Sequence, residues 1–146
     1  MATRIDPYNG FTFSVELDGI TRAGFRECSG LQNSQNVSTY REGTDRYLSP
    51  RKIPGMVTYG DITLSRGITS DTKLWEWRLK TVRGDVQRHN ISVSVLDDAG
   101  TAKITWNLFD AWPTSWTGPS FNATSDEFAI EQITIAYERL EVGQWS

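Results

Sequence analysis

The chain has 146 residues, 38% hydrophobic and 23% charged, with a net charge of −3. That length suits one domain with a real core, a mean hydropathy of −0.45 suits a soluble globular protein, and the charge argues against a nucleic-acid binder that works by bulk charge. No apolar run approaches the roughly 20 residues of a membrane span, and a single cysteine, Cys28, excludes an internal disulfide framework and suits a reducing cytoplasm.

The opening Met-Ala-Thr-Arg-Ile-Asp-Pro has no apolar stretch, so a secretory signal is not expected. Phe11, Phe13, Val15 and Leu17 alternate with Thr12, Ser14, Glu16 and Asp18, which predicts a half-buried strand ended by a hairpin turn at Asp18-Gly19. Arg22 to Gln32 continues after that turn as the second arm of a hairpin, and Val37 to Arg41 is read as extending it. From Glu42 to Met56 the pattern breaks at Gly43, Pro50, Pro54 and Gly55. This predicts a loop of about 15 residues, longer than most connections in compact domains. Its Arg46, Arg51 and Lys52 interleave with Tyr47, Leu48 and Ile53, a composition suited to docking on a partner.

Val57 to Ser65 returns to strand. Thr69-Ser70-Asp71 offers an N-cap, Leu74 to Lys80 holds strong helix formers, and Arg83-Gly84 offers a stop. One helix of about three turns is expected near residues 70–83. Ile91, Val93 and Val95, the turn Asp97-Asp98-Ala99-Gly100, and the alternating Ala102 to Leu108 predict a second hairpin. Ala111-Trp112-Pro113 and Trp116-Thr117-Gly118-Pro119 read as a corner where strands turn and pack, because indole is large and rigid and Pro and Gly fix the backbone around it.

Thr124 to Leu140 fits two patterns. Ile130, Ile133, Tyr137 and Leu140 match helical spacing, and Thr124-x-x-Glu127 imitates a capping box. Ile133, Ile135 and Tyr137 also alternate with polar or small residues among dense β-branched side chains, so the segment is read as strand. A bulge is expected where the apolar phase slips between Ile130 and Ile133. The sum is one mainly β domain over 1–146, a β-sandwich or barrel with one flanking helix.

Candidates for chemistry are few. His89 stands alone beside Arg88 and Asn90 at a strand start, where a surface role is the plainer reading. One histidine and one cysteine do not make a zinc motif, and Cys28 would have only His89 as a base, so core packing is its default use. Asp97-Asp98 is explained by turn chemistry. Arg83-Gly84-Asp85 is a helix stop before it is an adhesion tripeptide, and the sequons at Asn36, Asn90 and Asn122 matter only in a secretory compartment. No phosphate-binding glycine loop, cofactor site or metal site is expected. Six tryptophans raise a carbohydrate-binding β-sandwich as the alternative function, and a single-His hydrolase as a third; core packing or a subunit interface is the preferred use of the indoles.

Several segments carry a family resemblance. They are Arg4-Ile-Asp-Pro-Tyr8 with the strand to Gly19, Ala23-Gly-Phe-Arg-Glu-Cys-Ser-Gly-Leu31, Tyr40-Arg-Glu-Gly43 and Arg51-Lys-Ile-Pro-Gly55. The series continues with Ile62-Thr-Leu-Ser-Arg-Gly67, Leu74-Trp-Glu-Trp77, Ala111-Trp-Pro113, Trp116-x-Gly-Pro119 and Glu127-x-Ala-Ile-Glu131. In this order, over nearly the whole chain, they resemble phage tail tube proteins and the inner tubes of contractile injection systems. The likeness is strongest to extracellular or thylakoid-type injection particles and then to contractile phage tails. The type VI secretion tube protein shares the Hcp-like architecture but less of the sequence. Cys28 stands where the family pattern favours a small aliphatic residue.

The resemblance implies two packed antiparallel sheets with one flanking helix, and a structural subunit that is not an enzyme. It implies hexameric rings stacked into a hollow tube, driven into a target by contraction of a surrounding sheath. Partners would be further copies, the sheath protein, baseplate and tube-terminating proteins and a lumen cargo. Phage DNA would pass through without sequence recognition if the tube is viral. The expected location is the cytoplasm of the producing bacterium, within an assembled tail or particle. Subunit contacts are then expected at Arg41, Glu42, Arg46, Tyr47, Arg51, Lys52 and Pro54, with Glu138 or Glu141 as acidic counterparts. Thr12, Ser14, Glu16, Thr63, Ser92 and Ser94 are the candidates to face a lumen.

Overall fold

A computed structural model describes residues 12–17, 21–44, 46–124 and 128–145. The Arg4-to-Tyr8 segment, the Asp18-Gly19 turn and Glu127 lie outside the described residues. The elements run β1 (Phe13–Leu17), β2 (Thr21–Ala23), β3 (Glu27–Ser29), β4 (Asn33–Tyr40), β5 (Arg51–Tyr59), β6 (Ile62–Gly67), α1 (Lys73–Val82), β7 (His89–Leu96), β8 (Ala102–Thr117), β9 (Ile130–Ala136) and β10 (Arg139–Trp145).

Every strand pairing is antiparallel. β8 is 16 residues long and serves two sheets in succession. Its first half lies between β7 and β10 and completes sheet A, in the order β2-β1-β7-β8-β10. Its second half pairs with β9 and opens sheet B, in the order β8-β9-β6-β3. The passage from one sheet to the other is built at Phe109–Asp110. Between His89↔Ala111 and Ile91↔Leu108, β8 carries one residue more than β7, and Asp110 takes φ 56. An extra residue bends and twists a strand, and aspartate tolerates the left-handed region better than most side chains. The tryptophan- and proline-rich corner expected from sequence is therefore a bend within one strand.

The inner faces share one core. Val15, Leu17, Ile91, Val93 and Leu108 from sheet A share it with Ile62, Leu64, Ile133 and Ile135 from sheet B and with Leu74 and Trp77 of α1. The alternation seen in β1, β7 and β8 thus buries its apolar phase, as a half-buried strand must.

Five residues, 68–72, separate β6 from the helix. Thr72 is the N-cap and makes no side-chain capping bond; Asp71 Oδ1 instead accepts from the Lys73 amide at 3.0 Å. At the other end Gly84 takes φ +89, the Asp85 amide donates to the Lys80 carbonyl and the Gly84 amide to that of Thr81. This is the Schellman closure for which glycine at that position is suited.

Four expectations are corrected. The loop placed at 42–56 ends at Pro50, because Arg51–Tyr59 is strand β5, paired with β4 from Tyr40↔Arg51 to Asn33↔Tyr59. Pro54 and Gly55 hid it: a two-stranded ribbon has open edges, so a residue without an N–H donor is tolerated there. Val37 to Arg41 does not extend the first hairpin, since β4 pairs only with β5 among the described residues. The Val57–Ser65 run is two strands broken at Gly60-Asp61. The phase slip at Ile130 involves no bulge against β6. The registers from Ile62↔Ile135 to Gly67↔Ile130 are continuous, and the buried phase of β9 is Glu131, Ile133, Ile135. A buried glutamate, not a bulge, accounts for the slip.

Candidate functional site

The first candidate surface is the outer face of sheet A. Opposite the buried residues of β1 and β7 stand Ser14, Glu16, Ser92 and Ser94, joined by Thr105 and Asn107 of β8. Ser14 pairs with Ser94 and Glu16 with Ser92. The Ser92 hydroxyl donates to Asn107 Oδ1 at 2.9 Å, and Ser94 Oγ and Thr105 Oγ1 are 3.0 Å apart. Glu141 of β10 extends the Glu16–Ser92–Asn107 rung. Five of the residues expected to face a lumen come together at this sheet, with Thr12 just before β1, where its carbonyl accepts from the Leu96 amide. Thr63 does not join them: it lies in sheet B between Ser29 and Thr134.

The second surface is the β4–β5 arm. It belongs to neither sheet, and all of its residues but Tyr59 are exposed. The arm carries Val37, Tyr40, Ile53, Met56 and Val57 into solvent, and its tip carries Tyr47 and Leu48 at 71% and 90% exposure. A lone two-stranded hairpin is marginal in water, and this much exposed apolar surface makes the arm a candidate interaction surface. Arg41, Glu42, Arg46, Tyr47, Arg51, Lys52 and Pro54 all lie on the arm or its tip. Tyr40 Oη donates to Glu42 at 3.1 Å, and Arg51 stands 4.0 Å from Glu42. Within the subunit the proposed acidic counterparts are engaged elsewhere: Glu138 with Arg88 at 3.0 Å and Glu141 with Arg139 at 3.1 Å.

A third feature escaped sequence reasoning. Arg66 and Glu131 are register partners on β6 and β9, and both are buried. Arg66 Nε donates to Glu131 Oε1 at 2.5 Å, its Nη1 to Asp71 Oδ2 at 3.2 Å and its Nη2 to the Asp71 carbonyl at 3.1 Å. Glu131 Oε2 accepts from the Trp116 indole at 3.1 Å, and Trp116 stacks edge-on against Trp75 of α1 at 4.9 Å. Strands β6, β9 and β8 and the Asp71 segment thus meet on one buried ion pair. Each member is multiply bonded, which is what lets such charges stay buried. The signal was present in sequence: Arg66 follows Ile62 and Leu64 in phase, and Glu131 precedes Ile133 and Ile135 in phase.

The candidates for chemistry are placed in structural settings. His89 packs edge-on against Trp77 at 5.4 Å. No group of three or more metal-ligating side chains occurs among the described residues. Cys28 is half-buried against the core, and burial, helped by Glu27, pushes its thiol from the ordinary 9.0 to about 11. The folded state holds this proton more tightly than the unfolded one. The stability contributed by Cys28 is therefore whole below pH 9 and lost as pH rises towards 11. Alkylation by iodoacetamide at pH 8 should be about 100-fold slower than for an unhindered thiol; equal rates in native and denatured protein would contradict the burial.

The comparisons agree with this geometry. No curated protein sequence matches the chain. A chain of an extracellular contractile injection system, the PVC sheath–tube complex in its extended state, is 33% identical over 94% of this chain and 92% of its own, with a TM-score of 0.85. A chain of the anti-feeding prophage cap, the AFP tube-terminating cap, is 33% identical over 99% and 95%, with a TM-score of 0.86. Hcp1 from Flavobacterium johnsoniae, 18% identical over 91% and 95% at a TM-score of 0.58, shares the fold. The family model described as T4-like virus tail tube protein gp19 matches residues 9–141. A mainly β subunit with a polar outer face and an unpartnered arm, matched by that model over almost all its length, belongs to the T4-like virus tail tube protein gp19 family.

Proposed function

We propose that this single-domain chain, a tail tube or inner tube subunit by family, assembles as hexameric rings stacked into a hollow conduit. The observation that carries the reading is the pair of open edges on sheet A: β2 bounds one side and β10 the other, with no further strand on either among the described residues. Head-to-tail pairing of β10 with the next copy's β2 is a heterologous contact that closes a ring and a barrel across subunits. The polar face of Ser14, Glu16, Ser92 and Ser94 would then line the lumen, in contact with water and cargo. The arm, with Arg41, Glu42, Arg46, Tyr47, Arg51, Lys52 and Pro54, would reach a neighbouring copy, where Glu138 or Glu141 are the acidic counterparts.

A sheath would surround the tube and drive it into the target on contraction, with baseplate and terminating proteins at its ends. A relative in a sheath–tube complex and another in a tube-terminating cap support those partners. The role is structural, without a reaction, and the subunit would be made in the bacterial cytoplasm and used within an assembled particle.

Negative-stain electron microscopy beside size-exclusion chromatography tests this. Wild-type protein should give uniform rings or tubes as concentration rises, because weak interfaces repeated many times respond to mass action. Arg51→Glu/Lys52→Glu should keep the circular dichroism of the wild type and lose tube growth. Normal tubes from that variant would remove the arm from the assembly.

A further inference from the structure

The outer face of sheet A is not flat. Beside the point where β8 carries its extra residue against β7 lies a depression of about 330 Å³, lined by Glu16, Asn90, Ser92, Asn107 and Phe109. Bulges are over-represented beside binding sites, where they re-aim side chains and end pairing. This one is braced from within the chain. Asp110 takes φ 56, its amide donates to Asn90 Oδ1 at 3.4 Å, and Arg88 donates to its carbonyl at 3.5 Å. A residue other than glycine stays in the left-handed region only where its surroundings over-determine it, and such residues cluster at ligand sites.

The lining is rich in acceptors. Ser92 gives its hydroxyl hydrogen to Asn107 Oδ1 at 2.9 Å, which leaves the lone pairs of its own oxygen to be filled. The Asn107 amide nitrogen is turned the other way, over β10, where a Cβ on Gly143 would stand 2.6 Å from it. Gly143 is the extra residue of the β10 bulge between Val142 and Gln144, so a glycine there makes room for the nitrogen and leaves the oxygen towards Ser92. Asn90 Oδ1 accepts from Asp110 and keeps one lone pair, and its amide nitrogen is the one side-chain donor left over among these groups. Glu16 adds a carboxylate that forms no ion pair among the described residues. Arg139 is held on the β10 side, 4.3 Å over the Phe109 ring and 3.1 Å from Glu141. Such a lining is matched by a positive group with several donors, no acceptor and an apolar stem. An ammonium has three donors and no acceptor. Acceptors converging from three strands suit its divergent N–H bonds better than the planar fork of a guanidinium. We infer that the depression binds a primary alkylammonium group, with Glu16 as counter-ion, the Ser92, Asn90 and Asn107 oxygens as acceptors and Phe109 against the stem. A free polyamine and a lysine side chain of a polypeptide share this chemistry. All five residues come from one copy, so the inference is independent of the tube reading.

Ligand-observed saturation-transfer NMR on the full-length protein, assembled or not, tests this. Pentylammonium should bind, and less tightly as salt rises. Pentyltrimethylammonium has the same charge but no N–H, and should bind at least about tenfold more weakly. Glu16→Gln keeps the shape, removes the charge and should cost pentylammonium at least about tenfold. Gly143→Ala should cost it at least about threefold with the melting temperature nearly unchanged, because the added methyl presses on the end of the Asn107 side chain and meets no backbone atom closer than 3.9 Å. Cadaverine set against N-acetyl-lysine methylamide separates the sources: tighter binding of the first supports a free polyamine, tighter binding of the second a lysine within a chain. No binding of pentylammonium, equal binding of its trimethyl analogue, or binding untouched by Glu16→Gln overturns the inference. Binding that appears only in Arg22→Gln overturns it too, by making Glu16 the counter-ion of its register partner on β2. Glucose bound in place of the amine overturns it in favour of a sugar. Tubes that form without amine binding sink this site alone, and amine binding without tubes sinks the tube reading alone.

Discussion

Glu131→Ala should destabilise the folded chain by about 3–5 kcal/mol, the range for removing one partner of a buried ion pair. The variant leaves the Arg66 guanidinium, 5% exposed, with the Asp71 carbonyl and a single carboxylate, that of Asp71, which is itself 33% exposed, and it strips the Trp116 indole of its acceptor. In thermal unfolding this corresponds to a fall of roughly 6–20 °C. The contrast with a double replacement makes the test specific. Arg66→Met/Glu131→Leu removes both charges together, and apolar pairs of similar volume can match buried ion pairs in stability. It should therefore recover most of the loss, although Asp71 then loses its tie and the start of α1 loosens. A Glu131→Ala penalty below about 1 kcal/mol, typical of an exposed pair, would show that water already solvates the site.

Gly30→Ala is the second large expected effect. A Cβ on Gly30 would lie 2.2 Å from the Asp61 carbonyl oxygen and 3.2 Å from Ile62 Cα, both backbone atoms that cannot swing aside, and Gly30 holds φ +99. Backbone strain of about 1–3 kcal/mol adds to an overpacking term of about 1–3 kcal/mol. Gly84→Ala isolates the first of these, since Gly84 holds φ +89 with nothing within 4 Å of its would-be Cβ. Chemical denaturation should therefore rank Gly30→Ala clearly below Gly84→Ala. Equal losses would mean that the crossing of the Gly30 and Asp61 segments relaxes freely. Because those segments flank the arm, tubes from Gly30→Ala should also be fewer at concentrations where Gly84→Ala assembles normally.

The sequence disclosed the elements whose alternation was undisturbed. β1, the β7–β8 hairpin and α1 were legible because their apolar periods survive intact and their ends carry turn or stop residues. β5 was not, because Pro54 and Gly55 are penalised by every strand rule except that for open-edged ribbons. The exposed arm has no burial pattern to betray it. The sharing of β8 was half legible: indoles and Pro113 announced a corner, but nothing local says that Asp110 bends a strand instead of ending it. The polar face was readable as alternation, whereas Thr63 shows the limit, since parity within a strand does not reveal which sheet the strand joins. The Arg66–Glu131 pair was missed because each charge interrupts an apolar series, and only the register of β6 on β9 turns two interruptions into one contact.

The strand common to both sheets has a mechanical meaning. Where two packed sheets share no strand, they are joined by crossing loops and face-to-face side chains, and a shearing force can slide one over the other by breaking dispersion contacts a few at a time. Here Ala102–Thr117 is one covalent thread hydrogen-bonded into sheet A at one end and sheet B at the other. A pull entering at β10 crosses hydrogen-bonded rungs to β8, runs along its peptide bonds past the Asp110 bend, and crosses rungs again to β9 and β6. Slippage therefore demands that a ladder fail and not only face-to-face contacts. The subunit carries load as a tie carries tension, through its backbone.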